Sequence, residues 1–258
     1  MSQTVQRAIE VLEYVSAGPR SLGEVADHCG VHRSTALRLL QTLTAGGLAH
    51  RRPDGRYGVG YRLVGLAERA REQLDLRAIA HPHLVTLKNR SGHTTHLAAL
   101  EGSDIIYVDK IEPTGSVRLY SEIGKPVPLH TASAAKAVLA NLPRERALRL
   151  LDDWDYHVYT STTITSQAAL LEDLDRAARR GWAVDDGEFE DFVNCIASPI
   201  RAATGDVIGA VSMTALRAIS DLAKLELLLP DLLAATTAIS KELGWVPPTN
   251  DSSTPPPA

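Results

Sequence analysis

The sequence predicts an α+β protein, and three observations along the chain lead to this prediction. Residues 1–60 show helical hydrophobic periodicity followed by a short pair of strands. Residues 61–91 keep a helical pattern, and from residue 92 onwards short strands alternate with helices. We therefore expect two domains joined by a linker helix, with the second domain built around a mainly antiparallel, curved sheet.

Composition is that of a soluble globular protein rather than a membrane or disulfide-rich secreted one. With 258 residues, of which 44% are hydrophobic and 22% charged, the chain is long enough to bury one or two cores. The N-terminus shows no secretory signal pattern, and no apolar run reaches the length of a bilayer. Two distant cysteines, Cys29 and Cys195, indicate reduced thiols instead of a disulfide framework. We expect a cytoplasmic location.

Charge is divided unevenly along the chain. The net charge is −4, yet residues 1–62 contain eight arginines and five acidic residues, a local charge of +3 that leaves −7 for the remainder. Arginine is the side chain best suited to paired contacts with phosphate and guanine. The asymmetry favours an N-terminal module that faces nucleic acid and a second module that avoids it.

Three helices are predicted before the first strands. Apolar residues at helical spacing mark the first helix, which ends at Gly18-Pro19. Ser21 and Glu24 form a capping-box pattern that starts the second helix, because the hydroxyl and the carboxylate can each take a free N–H of the first turn. Gly30 permits the left-handed turn that follows, and the third helix is expected from about His32 to Ala45.

A basic hairpin follows the third helix. Leu48 to Val59 is predicted to form two short strands around Pro53-Asp54-Gly55, a typical turn sequence. A short helix, a turn, a longer helix and a hairpin in this order predict a winged helix-turn-helix, in which the longer helix enters a DNA groove.

Nine side chains of this segment are candidates for DNA contact. They are Arg33, Ser34, Thr35, Leu37, Arg38 and Gln41 on the third helix and Arg51, Arg52 and Arg56 on the wing. Arg33 and Gln41 carry donors suited to guanine or adenine edges. Ser34 and Thr35, beside the helix N-terminus, suit phosphate, and Leu37 suits a thymine methyl. The wing arginines would hold the DNA backbone or enter the minor groove. From spacing alone, a solvated helix face with an exposed basic hairpin is an equal alternative.

The segment after the hairpin predicts a connecting helix from Tyr61 to about Arg90. Pro82 falls inside it, and a break or kink is expected there. We interpret this helix as a linker that also serves as a dimer surface. A Pro-, Ser- and Thr-rich end is expected to be disordered. The expected boundaries are 1–60 for the winged helix-turn-helix, 61–91 for the linker and dimerisation helix, 92–246 for the second domain and 247–258 for the disordered tail.

The second domain predicts strands and helices in alternation. Strands are expected at Thr94–Leu100, Asp104–Ile111, Val117–Tyr120, Trp182–Asp185, Cys195–Ile200 and Val207–Thr214. Helices are expected at Ala132–Asn141, Arg144–Leu151, Gln167–Arg180 and Asp221–Leu243. Pro230 lies inside the last helix and predicts a kink.

Small polar residues interrupt the apolar strands of this domain. Asp185, Cys195, Ser212 and Thr214 are the clearest examples, and Ser212 and Thr214 point the same way because side chains alternate along a strand. A mostly apolar pocket with a few polar groups is what a small-molecule site requires. The alternative is that Cys195 is a buried small side chain and that Ser212 bonds to backbone.

Motifs along nearly the whole chain resemble the IclR family of bacterial transcriptional regulators. The resemblance runs from Val5 to about Gly244, and its parts are specific because they occur together and in order. They are residues 5–12, the helix-turn-helix through 34–40, the wing end 56–60, the segment 129–137 and the block 182–214, which contains 185–188, 194–200 and 209–214.

This resemblance implies a winged helix-turn-helix, a linker helix used in dimerisation and a GAF-like α/β effector-binding domain. It implies a homodimer or homotetramer that binds a palindromic operator, most often as a repressor. The effector would be a small molecule, an organic acid or aromatic metabolite, whose carboxylate meets backbone N–H groups at a helix start while Asp185 accepts from a hydroxyl or amine. The implied effector site consists of Ser133, Ala134, Asp185, Cys195, Ser212 and Thr214.

Two positions depart from the family pattern. Ser133-Ala134-Ala135 replaces a glycine-containing loop and would narrow the mouth of the pocket. Leu37 occupies a recognition-helix position that is often polar or aromatic, which changes the expected base contacts.

Other functions remain as alternatives to an effector-controlled regulator. In one alternative, Cys195 is the reactive thiol of a redox sensor or activator. In another, Cys195 is the nucleophile of an enzyme, with His130 as its base and Asp185 orienting that base, but no catalytic motif surrounds Cys195. Metal binding at His93 and His96 has poor geometry, because residues three apart on a strand face opposite sides. His81 and His83 lie two residues apart on a helix and are equally poorly placed to share a metal ion. We interpret all four histidines as surface residues. We expect no enzyme activity, cofactor or metal.

Overall fold

The computed structural model describes residues 2–114 and 121–247 of the chain. It divides into two compact units, Met1–Leu74 and Asp75–Ala258. The strand expected at Val117–Tyr120 and residues 248–258 of the expected tail lie outside the described residues.

The first unit contains a three-helix core and a two-stranded sheet. Its elements are α1 (Gln3–Ser16), α2 (Leu22–His28), α3 (Arg33–Ala45), β1 (Ala49–Arg51), β2 (Tyr57–Val59) and α4 (Arg62–Gln73). The strands β1 and β2 pair antiparallel. The order of helices and hairpin confirms the predicted winged helix-turn-helix.

Local capping sets the helix starts of this unit. Ser21 Oγ accepts from the Glu24 N–H at 3.3 Å, and the Ser21 N–H donates to the Glu24 carboxylate at 2.7 Å, which is the predicted capping box. His32 caps α3 through Nδ1, so this helix begins at Arg33, one residue later than expected. Gly60 must lack a side chain, because a Cβ there would lie 2.1 Å from the Gly47 carbonyl oxygen.

Among its described residues, the second unit contains a five-stranded sheet with helices on both faces. Its elements are α5 (Leu76–Ser91), β3 (Thr94–Glu101), β4 (Asp104–Ile111), α6 (Ser133–Leu139), α7 (Arg144–Leu150), α8 (Gln167–Arg180), β5 (Ala183–Asp186), β6 (Val193–Arg201), β7 (Val207–Leu216), α9 (Leu222–Glu226) and α10 (Leu229–Glu242). The strand order is β4-β3-β7-β6-β5, and every neighbouring pair is antiparallel. The expected antiparallel sheet is confirmed.

The two faces of this sheet differ in side-chain size. Ala98, Ala197 and Ala210 face α6 and α8, and these small residues let α6 approach so closely that all seven of its residues are buried. The other face carries larger side chains, such as Leu97 and Met213, which pack against α5, α9 and α10. Because side chains alternate along each strand, these two sets lie on opposite faces, and the same alternation determines which face carries the polar residues Cys195 and Thr214.

The connecting segment is two helices rather than one helix kinked at Pro82. It is interrupted between α4 and α5, where Asp75 Oδ1 accepts from the backbone N–H groups of Arg77 at 2.9 Å and Ala78 at 3.1 Å. Asp75 therefore caps a new helix start. Pro82 lies inside α5 without ending it.

The last helix also differs from its expectation. Asp221 caps α9, which ends at Glu226, and α10 starts at Leu229. Pro230 lies in the first turn of α10. Backbone N–H groups of a first turn have no partner within the helix, so the N–H that proline lacks costs no helical hydrogen bond. The chain breaks before Pro230 instead of kinking at it. None of the helices in the described residues has both the length and the apolar character needed to span a membrane.

Candidate functional site

Helix α3 presents two chemically distinct faces. Ala36, Leu39, Leu40 and Leu43 are buried in the core of the first unit. The expected DNA-contacting residues lie away from this stripe: Arg33, Ser34, Arg38 and Gln41 are exposed, and Thr35 and Leu37 are half-buried. The structure therefore leaves most of the predicted contact set free to meet a partner.

The N-terminus of α3 carries Arg33 and is capped by His32, a cap that sequence reasoning missed. His32 Nδ1 accepts from the Ser34 N–H at 3.3 Å and contacts the Ser34 hydroxyl at 2.9 Å. Arg33 lies against α2, where a Cβ at Gly23 would come within 2.9 Å of its guanidinium. A histidine before a Ser-Thr pair at a helix start was the available sequence signal for this cap.

The hairpin turn carries three exposed arginines. Arg51, Arg52 and Arg56 are all exposed, as the sequence predicts for a wing. The Arg56 N–H donates to Asp54 Oδ1 at 3.0 Å, and the Arg52 N–H donates to the Arg56 carbonyl at 2.7 Å. These bonds hold the turn while leaving the arginine charges at its surface.

The second unit contains a cavity of about 450 Å³ above one end of the sheet. Four of the six expected effector-binding residues line it: Ser133, Asp185, Cys195 and Thr214. Ala134 and Ser212 are not among its lining residues, and they are 0% and 1% exposed. Both remain predictions as effector-binding residues. Ser212 points the same way as Thr214, but it lies two residues further along β7, opposite Ala197.

A chain of hydrogen bonds crosses the floor of the cavity. Cys195 Sγ donates to Thr214 Oγ1 at 3.3 Å, and Thr214 Oγ1 lies 3.4 Å from His96 Nδ1. His96 Nε2 lies 2.7 Å from Ser121 Oγ. The chain joins strands β6, β7 and β3 to the segment that follows β4.

His96 is not the surface residue that the sequence led us to expect. It is 2% exposed and lines the cavity, because it shares the inner face of β3 with Ala98. Burial, assisted by the Lys110 charge, lowers the pKa of His96 from 6.5 to about 3. The ring is therefore neutral at physiological pH, with one donor and one acceptor nitrogen.

Two buried or half-buried carboxyl groups form one wall of the cavity. Burial raises the pKa of Asp185 from 3.8 to about 6, although the charge of Lys136 opposes the shift. Asp185 Oδ1 accepts from the Glu188 N–H at 2.7 Å. Burial also raises the pKa of Glu190.

Cys195 does not have the environment of a reactive thiol. Burial, and next the charge of Asp185, raise the pKa of Cys195 well above its usual value, so little thiolate exists at neutral pH. The expected helper His130 uses its ring elsewhere: Nδ1 accepts from Trp154 Nε1 at 2.9 Å, and Nε2 donates to the His157 carbonyl at 3.0 Å. The geometry brings Cys195 together with Thr214 instead of with His130.

The loop between β5 and β6 is held from two sides. Fully buried Lys136 contacts both carboxylate oxygens of Glu188 at 2.7 Å and Asp173 Oδ2 at 3.0 Å. From the other side, Thr163 Oγ1 donates to the Glu188 carbonyl at 2.7 Å, and Thr160 Oγ1 donates to the Gly187 carbonyl at 2.6 Å. These contacts position the next loop residues, which form part of the cavity wall.

Aromatic side chains complete the wall. Phe189 and Tyr159 both line the cavity, and their ring centroids are 4.7 Å apart. Tyr107 lines it from β4, with its ring 4.8 Å from that of His96. Sequence reasoning missed these residues together with His96, Ser121 and Glu190. For His96 a signal was available, since it is a polar residue within an apolar strand, as Cys195 is.

Within residues 2–114 and 121–247, no group of three or more His, Cys, Asp or Glu side chains could hold a metal ion.

Family models match both units. A model described as the IclR helix-turn-helix domain matches residues 4–53. A second, described as the bacterial transcriptional regulator IclR C-terminal domain, matches residues 68–241, which is more than half of the chain.

Individual relatives agree with these matches. The chain is 32% identical over 246 residues to the HTH-type transcriptional regulator XynR of Escherichia coli K12, covering 94% of this chain and 98% of XynR. It shares the fold of a crystal structure of an IclR-type regulator from Silicibacter sp. TM1040, with a TM-score of 0.85, 23% identity and coverage of 96% and 98%. An IclR homologue from Microbacterium hydrocarbonoxydans, solved in complex with 4-hydroxybenzoate, matches with a TM-score of 0.60, 26% identity and coverage of 93% and 99%.

Proposed function

The chain belongs to the IclR family of bacterial transcriptional regulators, and we propose that it represses transcription from a palindromic operator under the control of a small-molecule effector. It is a DNA-binding regulator with a C-terminal effector-binding domain. The single observation that carries the finer proposal is the exposed face of α3, where Arg33, Ser34, Arg38 and Gln41 stand opposite the buried leucines.

We assign base recognition to α3 and backbone contact to the wing. Arg33 and Gln41 have donors that match the major-groove edges of guanine and adenine. Arg51, Arg52 and Arg56 contribute three charges that neutralise phosphates, so they add affinity with little sequence preference. Leu37 is half-buried, which leaves part of its side chain available to a thymine methyl.

The cavity of the second unit supports the effector half of the proposal. It combines apolar walls with hydroxyl, imidazole and carboxyl groups, as small-molecule sites do. The homologue solved with 4-hydroxybenzoate supports ligand binding within this family. We propose that the effector in this cavity changes the spacing of two DNA-binding units in a homodimer or dimer of dimers through residues 61–91, and so changes operator affinity.

The relatives are transcriptional regulators, and we propose that this chain likewise binds its effector without converting it. A protein of this function acts where the chromosome is, which is the basis for proposing a cytoplasmic location. Recovery of the bound molecule unchanged, in stoichiometric amount, is the expected result of denaturing the complex. Release of a converted product would contradict this.

Binding to DNA from the region upstream of the protein's own coding sequence tests the proposal. We expect the full-length protein to prefer one such fragment over random DNA and to lose affinity steeply with salt. Arg33→Ala should weaken that binding by about 1–3 kcal/mol and relax sequence preference, whereas Arg52→Ala should reduce the salt slope by about one.

Arg179→Ala is the matched control, because it removes an exposed arginine from α8 in the second unit. Its binding curve should coincide with that of the unsubstituted protein. The proposal is wrong if no upstream fragment competes better than random DNA, or if Arg179→Ala weakens binding as much as Arg33→Ala.

A further inference from the structure

We propose that His130 is a positioning residue for the cavity of the second unit. Its neutral ring latches residues 154–159, which we call the flap, so that Tyr159 completes the cavity wall, and a positive charge on the ring releases the flap. This inference rests on the proposed function only in treating the cavity as the effector site.

The flap is an irregular segment between α7 and α8 that is fixed at both ends. Before it, Asp153 adopts a left-handed backbone conformation with a φ of 54°, which redirects the chain at the end of α7. At its far end, the Tyr159 N–H donates to Thr163 Oγ1 at 3.1 Å, and Thr160 Oγ1 donates to the Gly187 carbonyl at 2.6 Å. These bonds leave the middle of the flap to be held by other contacts.

His130 holds the middle of the flap through both of its ring nitrogens. The ring is fully buried, its Nδ1 accepts from Trp154 Nε1 at 2.9 Å, and its Nε2 donates to the His157 carbonyl at 3.0 Å. Both bonds join the flap to the segment that leads into α6. Since an indole N–H only donates and a carbonyl only accepts, the latch requires the neutral ring with its hydrogen on Nε2.

Tyr159 carries the effect of the latch to the cavity. Its ring stacks on that of His130, with centroids 5.8 Å apart, and its centroid lies 4.7 Å from that of Phe189. Tyr159 and Phe189 both line the cavity, and Tyr159 is 41% exposed, so it lies at the edge of the cavity. A flap that moves away from His130 therefore takes part of the cavity wall with it.

A charged ring is incompatible with the latch. An imidazolium carries two N–H donors, so its Nδ1–H would face the Trp154 N–H, and repulsion would replace the hydrogen bond. Burial is the main cause that lowers the pKa of His130 below its usual 6.5, while the bond to the His157 carbonyl and the charge of Asp155 oppose the shift. The latch is therefore closed at neutral pH, and we expect it to open as the pH falls through this lowered pKa.

Other titratable groups surround the ring, and they decide which controls are needed. The flap contributes Asp155, Tyr156, His157 and Tyr159, and α6 contributes Lys136, which is paired with Glu188 and Asp173. Burial raises the pKa of Asp185 to about 6 and that of Glu188 to about 7, so both carboxyl groups also change charge on acidification. A side chain at position 130 that cannot be protonated separates their effect from that of His130.

Trp154 reports directly on the latch. In the full-length protein with Trp182→Phe and Trp245→Phe it is the remaining tryptophan, and the rate constant for quenching of its fluorescence by neutral acrylamide measures its access to solvent. We expect this constant to rise about threefold between pH 7.5 and pH 5, with a midpoint below the ordinary histidine value of about 6.5. His130→Gln keeps a donor and an acceptor but cannot be protonated, so the constant should no longer depend on pH.

His157→Gln is the matched control for the pH response. It removes the neighbouring imidazole and keeps the backbone carbonyl to which His130 donates. The pH response should remain in this variant. Absence of the response in the parent protein, its loss in His157→Gln or its persistence in His130→Gln would each overturn the proposal.

Cys195 tests whether the latch serves the cavity. In the full-length Cys29→Ser protein it is the remaining cysteine, and it lines the cavity. At pH 8.5, His130→Phe should speed its alkylation by iodoacetamide about tenfold, because the variant keeps a ring but loses both hydrogen bonds to the flap. Trp154→Phe removes the donor from the other side of the latch and should also speed alkylation, and it decides the question if His130→Phe does not fold.

Trp182→Phe is the control for this second measurement, because it makes the same change outside the flap and should leave the alkylation rate as it is. If neither latch variant speeds alkylation, His130 does not position the cavity wall. If Trp182→Phe speeds it equally, the effect does not arise from the latch. Neither measurement uses DNA or an effector, so a failure of the latch is distinct from a failure of operator binding.

Discussion

His96 illustrates how a single side chain connects the sheet to the cavity. Its imidazole bridges Thr214 on β7 and Ser121 after β4, and its neutrality depends on burial. Because burial keeps the ring neutral, His96 contributes no positive charge to the cavity.

Ionised Asp185 should lower the free energy of unfolding at neutral pH. Its pKa rises from 3.8 to about 6 in the folded state, so the folded protein holds this proton more tightly than the unfolded chain. Stability from this group is therefore greatest below about pH 4 and falls as the pH rises through about 6. We expect Asp185→Asn to raise the free energy of unfolding by about 2–3 kcal/mol at pH 7.5, with the gain vanishing near pH 4.

Urea unfolding at both pH values measures this difference. The control is Asp186→Asn, which removes a neighbouring carboxylate that pairs with Arg217 at 2.8 Å near the surface. It should give no gain at pH 7.5. A stabilisation by Asp185→Asn that persists unchanged at pH 4 would show that the charge is not its cause.

Among the elements, the loop between β5 and β6 decides the shape of the cavity. Its backbone carbonyls are bonded by Thr160, Thr162 and Thr163, and its Glu188 side chain is paired with Lys136 inside the core. Because the contacts come from α6 and from the segment before α8, this loop is positioned by elements distant in sequence.

Thr163→Val should loosen the loop without unfolding the domain. The change keeps the side-chain shape but removes a hydroxyl that donates to the Glu188 carbonyl at 2.7 Å and accepts from the Thr160 N–H at 2.8 Å. Losing buried bonds of this kind costs about 1–3 kcal/mol, so we expect alkylation of Cys195 by iodoacetamide in Cys29→Ser protein to speed up about tenfold.

Exposed Thr165→Val, two residues away, is the control and should leave the rate unchanged. Equal rates for both variants would mean that Thr163 does not restrain access to the cavity. DNA affinity without effector should be the same in all three proteins.

For the whole molecule, the proposed function requires more than one copy of the chain. Val5 and Ile9 lie four residues apart on α1 and are 58% and 52% exposed, an unusual setting for aliphatic side chains on one face of a helix. Operators with two half-sites require paired DNA-binding units, and we expect this face of α1 to contribute to the pairing.

Ile9→Asp should therefore separate the DNA-binding units. We expect about a hundredfold weaker operator binding, because two linked half-site contacts become two independent ones, and a salt slope reduced by about half. Sedimentation and anisotropy titrations measure the two effects.

Val158→Asp is the matched control, since Val158 is 60% exposed in the second unit. If Ile9→Asp leaves affinity and salt slope as they are, α1 does not take part in pairing on DNA. If Val158→Asp weakens binding equally, the loss is not specific to the α1 face.

The sequence by itself determined the local elements, because their causes lie within a few residues. The capping box of α2 involves only Ser21 and Glu24, so it does not depend on the position of α2 in the fold. The turn at residues 101–103 likewise joins β3 to β4 through neighbouring residues. The order of a short helix, a turn, a longer helix and a basic hairpin is likewise visible along the chain, and it was sufficient to predict the winged helix-turn-helix.

Only the tertiary structure decided what surrounds each side chain. Burial under distant elements made His96 a cavity residue, paired Lys136 with Glu188 and kept Ser212 out of the cavity that Thr214 lines. The sequence predicted a break or kink at Pro82, whereas the structure starts a new helix at the Asp75 cap and keeps Pro82 inside α5. These outcomes depend on free energies of burial and pairing between residues far apart in sequence, which hydrophobic periodicity along one segment does not contain.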